Sequence, residues 1–407
     1  MCKQGVAMQV RVITLVLSTG ILFGKPPALP NLSNSCYMNA ALQTLFAMTD
    51  LNTFIMSYKP LDNLPHYLAL PAYKNLLQER NTKEFNDALR EFFYITDISL
   101  TQQTEWDAIK KYAITLKDVN LKRVKEIIDS KKPGLEKDFL NFVLERNKDL
   151  EPVLTEDRLK NDIYFFLSDK YIPQKCQQSA SEMIEKFLAQ LLELNPPYIH
   201  TLFMQVQDYV MHHESGYVEP IEHEIENAVL RISVPSTMQT IQNLLENYFS
   251  PRATDQPGLV RQKKIETEVP TYVLLALGRT DTGQFLSTPI TQLASLILHG
   301  AWFKHTIPDA LSYSLIGIIC HSGGTTGGHY RAYVYDAHDQ EWYVGDDQFV
   351  KLVAKRFEDF EELRKQEIAT QSTLLVYQKT GVVKDTPPPL ENLYNDLAFL
   401  EFSVRNS

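Results

Sequence analysis

Six short segments rich in β-branched and aromatic residues follow one another from about residue 225, and they constrain the fold of this chain more than any other feature. Turn residues separate them, as is typical of antiparallel strands. The region from about 75 to 170 instead has the charge and spacing of amphipathic helices. The sequence therefore predicts an α+β fold, helical first and β-rich second. The six segments are AVLRISV, TYVLLAL, SYSLIGIIC, HYRAYVY, EWYVG and TLLVYQK.

Composition narrows the classes of function. The 407 residues are 44% hydrophobic and 22% charged, as in ordinary globular proteins. The net charge of −10 disfavours nucleic-acid binding. Four scattered cysteines argue against a disulfide framework and a cysteine-based zinc site, and they suit a reducing compartment. We therefore expect no cofactor, no metal and no nucleic-acid partner, and a cytoplasmic location, with secretion or delivery to another cell left open.

Residues 1–24 form an apolar N-terminal segment with two interpretations. Its central part, VITLVLSTGILFG, follows Lys3 and Arg11, as in a secretory signal. It is too short for a typical transmembrane helix and lacks an obvious small-x-small cleavage site. Its β-branched residues favour a buried strand. We expect a membrane contact only if the segment is a signal.

The stretch NLSNSCYMNAALQTLF, residues 31–46, places Cys36 where a loop turns into a helix. Asn34 and Ser35 are good N-cap residues, and an apolar stripe follows at helical spacing. A thiol in the first helical turn feels the positive end of the macrodipole, which favours the reactive thiolate. Buried cysteines are, however, mostly inert. This stretch alone leaves a nucleophile and a core residue both open.

A hairpin is predicted in HSGGTTGGHYRAYVYDAHDQEWYVGDDQFVKL, which starts at residue 321. If Tyr335 pairs with Gln340 across the turn, His329 lies opposite Asp346. Directly opposed residues project from the same face, with Cβ atoms about 5 Å apart. Such a carboxylate can orient an imidazole and stabilise its protonated form. The alternative is a surface hairpin whose histidine merely meets an acid.

Together, these two stretches resemble the ubiquitin-specific protease family, papain-like cysteine peptidases that remove ubiquitin. NLSNSCYMNAALQTL matches the family's cysteine box, and GGHYRAYVYDAHDQEWYVGDDQFV matches its histidine box. QQSASEMIEKFLAQLL is similar to a helix between them. The resemblance implies a papain-like fold with a helical thumb, an antiparallel β palm and reduced fingers. The expected ranges are a thumb at 25–200 with a helical insertion near 80–170, a palm with fingers at 201–380, and a linker with a tail at 381–407.

The resemblance also implies roles for individual residues. Cys36 would be the nucleophile and His329 its base. Asp346 would orient the histidine, with Asp347 as an assisting acid. Asn31 would donate to the oxyanion, although turn stabilisation is a common alternative for an asparagine in a loop. The C-terminal tail of the substrate would lie against the glycine-rich loop, with contacts from Gly323, Gly324, Gly327, Gly328 and Tyr330.

Departures from the family pattern leave the substrate open. Ser33, Ser179 and Gly345 replace the family's usual residues at their positions, and the zinc-binding Cys-x-x-Cys pairs of the fingers are missing. We expect a monomeric deubiquitinase that acts on ubiquitin or ubiquitinated proteins. The alternatives are a protease for another ubiquitin-like modifier and a catalytically silent ubiquitin-binding module. An unrelated papain-like peptidase or acyltransferase is disfavoured by the length of both boxes.

Overall fold

The chain forms two compact units in the computed structural model. Within the described residues, the first unit comprises residues 30–38 and 49–187, and the second comprises 25–29, 39–48 and 188–385. The expectations for the N-terminal segment and for the tail beyond 385 lie outside the described residues. The structure describes residues 25–31, 35–59, 61, 69–80, 82–89, 92–93, 96, 112, 115–131, 134–147, 154, 159, 162, 179–193, 199–212, 218–254, 256, 259–281, 284–324 and 327–385.

Helices dominate the first unit. Its described helices bury apolar side chains. The helices of the described part of the chain are α1 Cys36–Ala47, α2 Thr49–Ser57, α3 Ala69–Glu79, α4 Leu121–Ser130, α5 Leu135–Asn147, α6 Ala180–Glu193, α7 Ile199–Leu202, α8 Ile241–Phe249 and α9 Glu362–Gln371, of which the last three lie in the second unit.

Two clusters hold the first unit together. The ring of Tyr73 lies 5.6 Å from that of Phe92 and 5.0 Å from that of Phe187, an aromatic packing that ties α3 to α6. Helices α4 and α5 pack against each other over a second, separate core. Both lie in the range 80–170, where the sequence predicts helices. The second core consists of Leu116, Val124, Ile128, Phe139, Leu140, Val143, Leu154 and Leu159.

Strands dominate the second unit. An eight-stranded sheet has the order β15-β14-β13-β12-β16-β7-β3, with β11 paired to β12, and a four-stranded sheet has the order β2-β1-β6-β5. The pairings in the large sheet are antiparallel except for β3 with β7. The strands are β1 Gln205–His212, β2 Val218–Asn227, β3 Val229–Ser233, β4 Gln239–Thr240, β5 Arg252–Ala253, β6 Leu259–Ile265, β7 Tyr272–Gly278, β8 Thr280–Asp281, β9 Gln284–Phe285, β10 Ile290–Thr291, β11 Ser295–Leu298, β12 Ala310–Gly324, β13 Gly327–Asp336, β14 Glu341–Asp346, β15 Phe349–Ala354 and β16 Ser372–Val383.

The strand region extends at both ends beyond the six segments of the sequence analysis. It begins at Gln205, within the predicted palm range of 201–380, with a strand β1 that has neither a strict alternation of polar and apolar residues nor a β-branched run. It also continues past Lys379, where a linker was predicted, because Val382 pairs with Leu311 of β12. Beyond the strand, Asp385 accepts from Nδ1 of the buried His299 at 2.8 Å and from the Gly300 N–H at 2.8 Å. The linker prediction for 381–385 is therefore wrong.

The predicted hairpin is formed by β13 and β14, but its predicted register is wrong by two residues. Tyr335 pairs with Trp342, not with Gln340. The carboxylate of Asp336 accepts from the backbone N–H groups of His338 at 2.8 Å and of Asp339 at 3.1 Å, and this closes the turn one residue later than predicted. A shift of two residues keeps every side chain on its predicted face, since the pleat repeats every second residue.

Among the described residues, no helix combines the length and apolar character needed to cross a membrane.

Candidate active site

His329 of β13 and Asp346 at the end of β14 are in direct contact. Nε2 of His329 lies 2.5 Å from Oδ1 of Asp346, and both side chains are partly exposed. The contact predicted from the sequence is therefore present in spite of the register error. With its Nε2–H directed at the carboxylate, the imidazole keeps its lone pair on Nδ1, which is the nitrogen that can take a proton. This is an imidazole held in one tautomer, as general-base chemistry requires.

The second oxygen of Asp346 faces a cation that sequence reasoning missed. Nε of Arg331 lies 3.2 Å from Oδ2 of Asp346, and Nη1 of Arg331 donates to Oε1 of Glu367 at 3.0 Å. Glu367 lies on α9. The signal for Arg331 was in the strand pattern, because residues two apart on a strand share a face and Arg331 follows His329 by two.

Asp347, predicted as an assisting acid, is engaged with α1. Its Oδ1 accepts from Nδ2 of Asn39 at 2.6 Å, and its backbone carbonyl accepts from the N–H of Leu29 at 3.1 Å. Asn39 also donates to the carbonyl of Leu29 at 3.4 Å. Asn39 follows Cys36 by three residues on the same helix. Asp347 thus fastens the part of α1 that belongs to the second unit to the end of the hairpin.

Gly345, a departure from the family pattern, has a packing reason. A Cβ at this position would lie 3.1 Å from Cγ of Gln43 on α1. Gln43 is buried, and its Nε2 donates to the carbonyl of Pro27 at 2.5 Å. The space that a side chain at residue 345 would occupy is therefore filled by Gln43.

Cys36 is the first residue of α1, and it is 3% exposed. Its place at the start of a helix is as predicted, and the side chain is buried there. Just before it, Oδ1 of Asn31 accepts from the backbone N–H of Ser35 at 3.3 Å. In this bond the oxygen of the Asn31 amide accepts. The other end of the amide, Nδ2, is the donor that could serve a developing negative charge.

The glycine-rich turn brings β12 and β13 close together. Gly323 has a φ of +141° and pairs with Gly328, where an added Cβ would lie 2.4 Å from both Nε2 of His321 and the carbonyl oxygen of Ser322. Gly324 has open space around it. The two residues between Gly324 and Gly327 lie outside the described part of the chain. The turn therefore requires glycine at residues 323 and 328, where a side chain would collide, but not at residue 324.

Tyr330 follows His329 and so projects from the opposite face of β13. It is buried, and its ring lies 4.4 Å from that of His321. Burial lowers the pKa of His321, and the charge of His329 lowers it further. His321 is therefore a neutral packing partner of the tyrosine.

Two groups of side chains have the spacing that a metal ion requires. Ligand atoms of His329, Asp346 and Asp347 lie within 4.8 Å of one another, and so do those of Asp336, His338 and Asp339. The members of the first group already bind one another, Arg331 or Asn39. Asp336 closes the hairpin turn with its carboxylate. These contacts account for both groups without an ion.

Comparison with known proteins gives three matches. The family model for ubiquitin carboxyl-terminal hydrolase matches residues 28–377. Ubiquitin carboxyl-terminal hydrolase 5 of Saccharomyces cerevisiae is 28% identical over 123 residues, which are 26% of this chain and 15% of that protein. The solved structure of the Ubp8-Sgf11-Sgf73-Sus1 SAGA DUB module contains a chain that matches 88% of this one and is covered to 68%, with 15% identity and a TM-score of 0.52.

The likeness to the solved structure confirms the α+β, papain-like fold class that the sequence predicts. The family match includes Cys36, the hairpin with His329 and Asp346, and the first half of β16. This chain belongs to the ubiquitin carboxyl-terminal hydrolase family.

Proposed function

We propose that this chain is a thiol-dependent deubiquitinase that hydrolyses the isopeptide or peptide bond after the C-terminal glycine of ubiquitin. The His329–Asp346 contact carries the proposal, because it is the arrangement that a cysteine peptidase needs for its base. Membership of the ubiquitin carboxyl-terminal hydrolase family supports the substrate class.

The reaction assigns one step to each residue. The Cys36 thiolate attacks the glycine carbonyl, and the tetrahedral intermediate places its negative charge on the carbonyl oxygen, for which Nδ2 of Asn31 is the donor. His329 gives its proton to the departing amine as the C–N bond breaks, which leaves a thioester on Cys36. His329 then takes a proton from water, the hydroxide attacks the thioester, and Cys36 leaves as thiolate with the free carboxylate of ubiquitin as product.

The glycine-rich turn is the proposed contact for the substrate's C-terminal tail. The open space at Gly324 admits a chain close to the protein backbone. In contrast, Tyr330 packs on His321 from the face opposite His329, and that packing supports an indirect role for it, in shaping the turn.

A protease for another ubiquitin-like modifier is the second candidate. We assign the four-stranded sheet β2-β1-β6-β5 to the fingers, and its strands contain no cysteine. A finger region without zinc ligands would hold the body of the modifier differently. A catalytically silent module is disfavoured, since Cys36, His329, Asp346 and Asn31 are all retained.

Reactive C-terminal probes test the function directly. Wild-type protein is incubated with probes made from ubiquitin and from other ubiquitin-like modifiers, and covalent adducts are detected by mass spectrometry. We expect an adduct with the ubiquitin probe and none in Cys36→Ala. The matched control is Cys320→Ala, which removes a fully buried thiol whose pKa is raised by burial, and which should keep the adduct.

The outcomes of the probe test separate the candidates. An adduct exclusively with a different modifier would replace ubiquitin by that modifier. Wild-type protein that reacts with no probe while it binds ubiquitin would establish the silent module. Loss of the adduct in Cys320→Ala but not in Cys36→Ala would overturn the assignment of the nucleophile.

We also propose a cytoplasmic location and a monomeric enzyme without a cofactor. The scattered cysteines support a reducing compartment. The proposed division into thumb, palm and reduced fingers is supported by the helical character of the first unit and the two sheets of the second.

A further inference from the structure

We infer that Arg331, held in place by Glu367, is a positioning residue that aims the carboxylate of Asp346 at His329. The inference rests on the proposed function, since it concerns the same reaction. Arg331 acts through Asp346 and is not itself a catalytic residue.

The two oxygens of Asp346 have different partners. Oδ1 accepts from His329 at 2.5 Å, and Oδ2 lies 3.2 Å from Nε of Arg331. The contact with Arg331 is an ion pair without hydrogen-bond geometry. The attraction between its guanidinium and Oδ2 favours the orientation of the carboxylate that keeps Oδ1 on the imidazole.

Arg331 is fixed in turn by α9. Its Nη1 donates to Glu367 at 3.0 Å, and the neighbouring Ile368 is fully buried. At the end of α9, Oε1 of Gln371 accepts from Oγ of Ser322. Ser322 on β12 is the pairing partner of His329 on β13. Helix α9 thus supports the strand that carries His329 and also the cation beside Asp346.

The C-terminal end of α9 is anchored by a buried guanidinium. Nη2 of Arg279 donates to the carbonyl of Ala369 at 2.7 Å, and Nε donates to that of Ser372 at 2.6 Å. Burial lowers the pKa of Arg279 to about 10, so that it remains charged at neutral pH. Helix α9, which carries Glu367, is therefore held firmly at its C-terminal end.

Charge balance gives Glu367 a second effect. The charged and titratable groups that face His329 are Asp346 and Asp347 from the end of β14, Arg331 from β13, His321 from β12 and, one contact further, Glu367 from α9. The positive charge of Arg331 opposes the stabilisation of the imidazolium by Asp346. Glu367 offsets that opposition, so that the arginine orients Asp346 without cancelling its charge.

The test measures kcat, KM and the pH profile of ubiquitin-substrate hydrolysis for Arg331→Gln, Glu367→Gln and the double variant. We expect kcat of Arg331→Gln to fall about tenfold with KM unchanged, because the carboxylate of Asp346 is no longer held in the orientation that contacts His329. The alkaline limb of the profile should move to higher pH in Arg331→Gln and to lower pH in Glu367→Gln, because the two substitutions remove opposite charges near His329. In the double variant the limb should return towards wild type while kcat stays low.

Arg364→Gln is the matched control. Arg364 lies on the same helix as Glu367, with its guanidinium 5.6 Å from the centre of the Tyr333 ring. Arg364→Gln removes the same charge as Arg331→Gln, but from a side chain that does not touch Asp346. We expect its kcat to stay near that of wild type, and Arg331→Lys to recover part of the lost kcat.

Several results would overturn the inference. They are a wild-type kcat and pH profile in Arg331→Gln, shifts of the same sign in both single variants, or an equal loss in Arg364→Gln. If Arg331→Gln melts before assay, Glu367→Gln decides, since it keeps the arginine. If wild-type protein has no hydrolase activity, the proposed function is contradicted instead. If wild-type protein is active and the variants at residues 331 and 367 behave like it, this inference alone is contradicted.

Discussion

His321 and His329 lie on neighbouring strands, and their different surroundings suit them to different roles. His329 is partly exposed, and its Nε2 lies 2.5 Å from a carboxylate oxygen of Asp346. His321 is 8% exposed, between the rings of Tyr330 and Phe285. Burial and the charge of His329 both disfavour its protonation. One imidazole is thus suited to proton transfer and the other to packing.

The lowered pKa of His321 predicts a loss of stability in mild acid. The unfolded chain binds this proton near the ordinary value of 6.5, whereas the folded protein binds it at lower pH. Stability is therefore fully present above about 6.5 and is lost as the pH falls from there towards the folded pKa. Thermal melting between pH 7.5 and 5.5 should show this loss, and His321→Gln should reduce its slope.

His338 provides the matched control for this prediction. It lies in the exposed hairpin turn, so that His338→Gln removes a histidine without removing the buried imidazole, and its melting curves are the reference for those of His321→Gln. An unchanged slope in His321→Gln would contradict the explanation.

At the scale of elements, the β12–β13 turn is a close contact of two backbones. Gly323 and Gly328 lie opposite each other, and a side chain at either would collide with backbone or with His321. The strand that carries His329 begins at this contact. The position of the histidine therefore depends on glycines six residues and one residue before it.

A pair of alanine variants tests this dependence. In Gly328→Ala the new Cβ would lie 2.4 Å from Nε2 of His321 and from the carbonyl of Ser322, so the strands must separate. We expect hydrolase activity to fall at least tenfold and the melting temperature to drop, since overpacking costs about 1–3 kcal/mol. Gly324→Ala, in open space, should leave the melting temperature unchanged. Equal melting temperatures for the two variants would refute this account.

The sequence predicted the elements that carry chemistry better than the contacts that hold them. Cys36 at a helix start and the His329–Asp346 contact followed from periodicity and from pairing on one face. The register was missed because the hydrogen bonds of Asp336 to the turn depend on backbone geometry, and strand patterns do not reveal them. Arg331 shares the face of His329 in the strand pattern, but its contact with Glu367 could not be predicted, since Glu367 lies 36 residues further along the chain. Asn39 was missed because its partner Asp347 is far away in the chain and no local pattern links the two.

At the scale of the whole molecule, the exposed edge of the large sheet bears on association. Strand β15 is at that edge, where Phe349 is 68% exposed and Leu352 is 47% exposed. An exposed edge strand can pair with another chain. Lys351 between these residues and the net charge of −10 both oppose such pairing.

We therefore expect a monomer in solution. Light scattering at micromolar concentration should give a mass of 46.7 kDa. Twice that mass would contradict the prediction, and Leu352→Glu would then show whether the β15 edge is the contact, since a charge there should restore the monomer.

The contact between His299 and Asp385 has a practical consequence for anyone who shortens this chain. A chain cut at Lys379 would lose the pairing of Val382 with Leu311, and it would leave the buried His299 without its carboxylate. A fragment prepared for expression or crystallisation should therefore extend at least to Asp385, and a C-terminal affinity tag belongs beyond that residue.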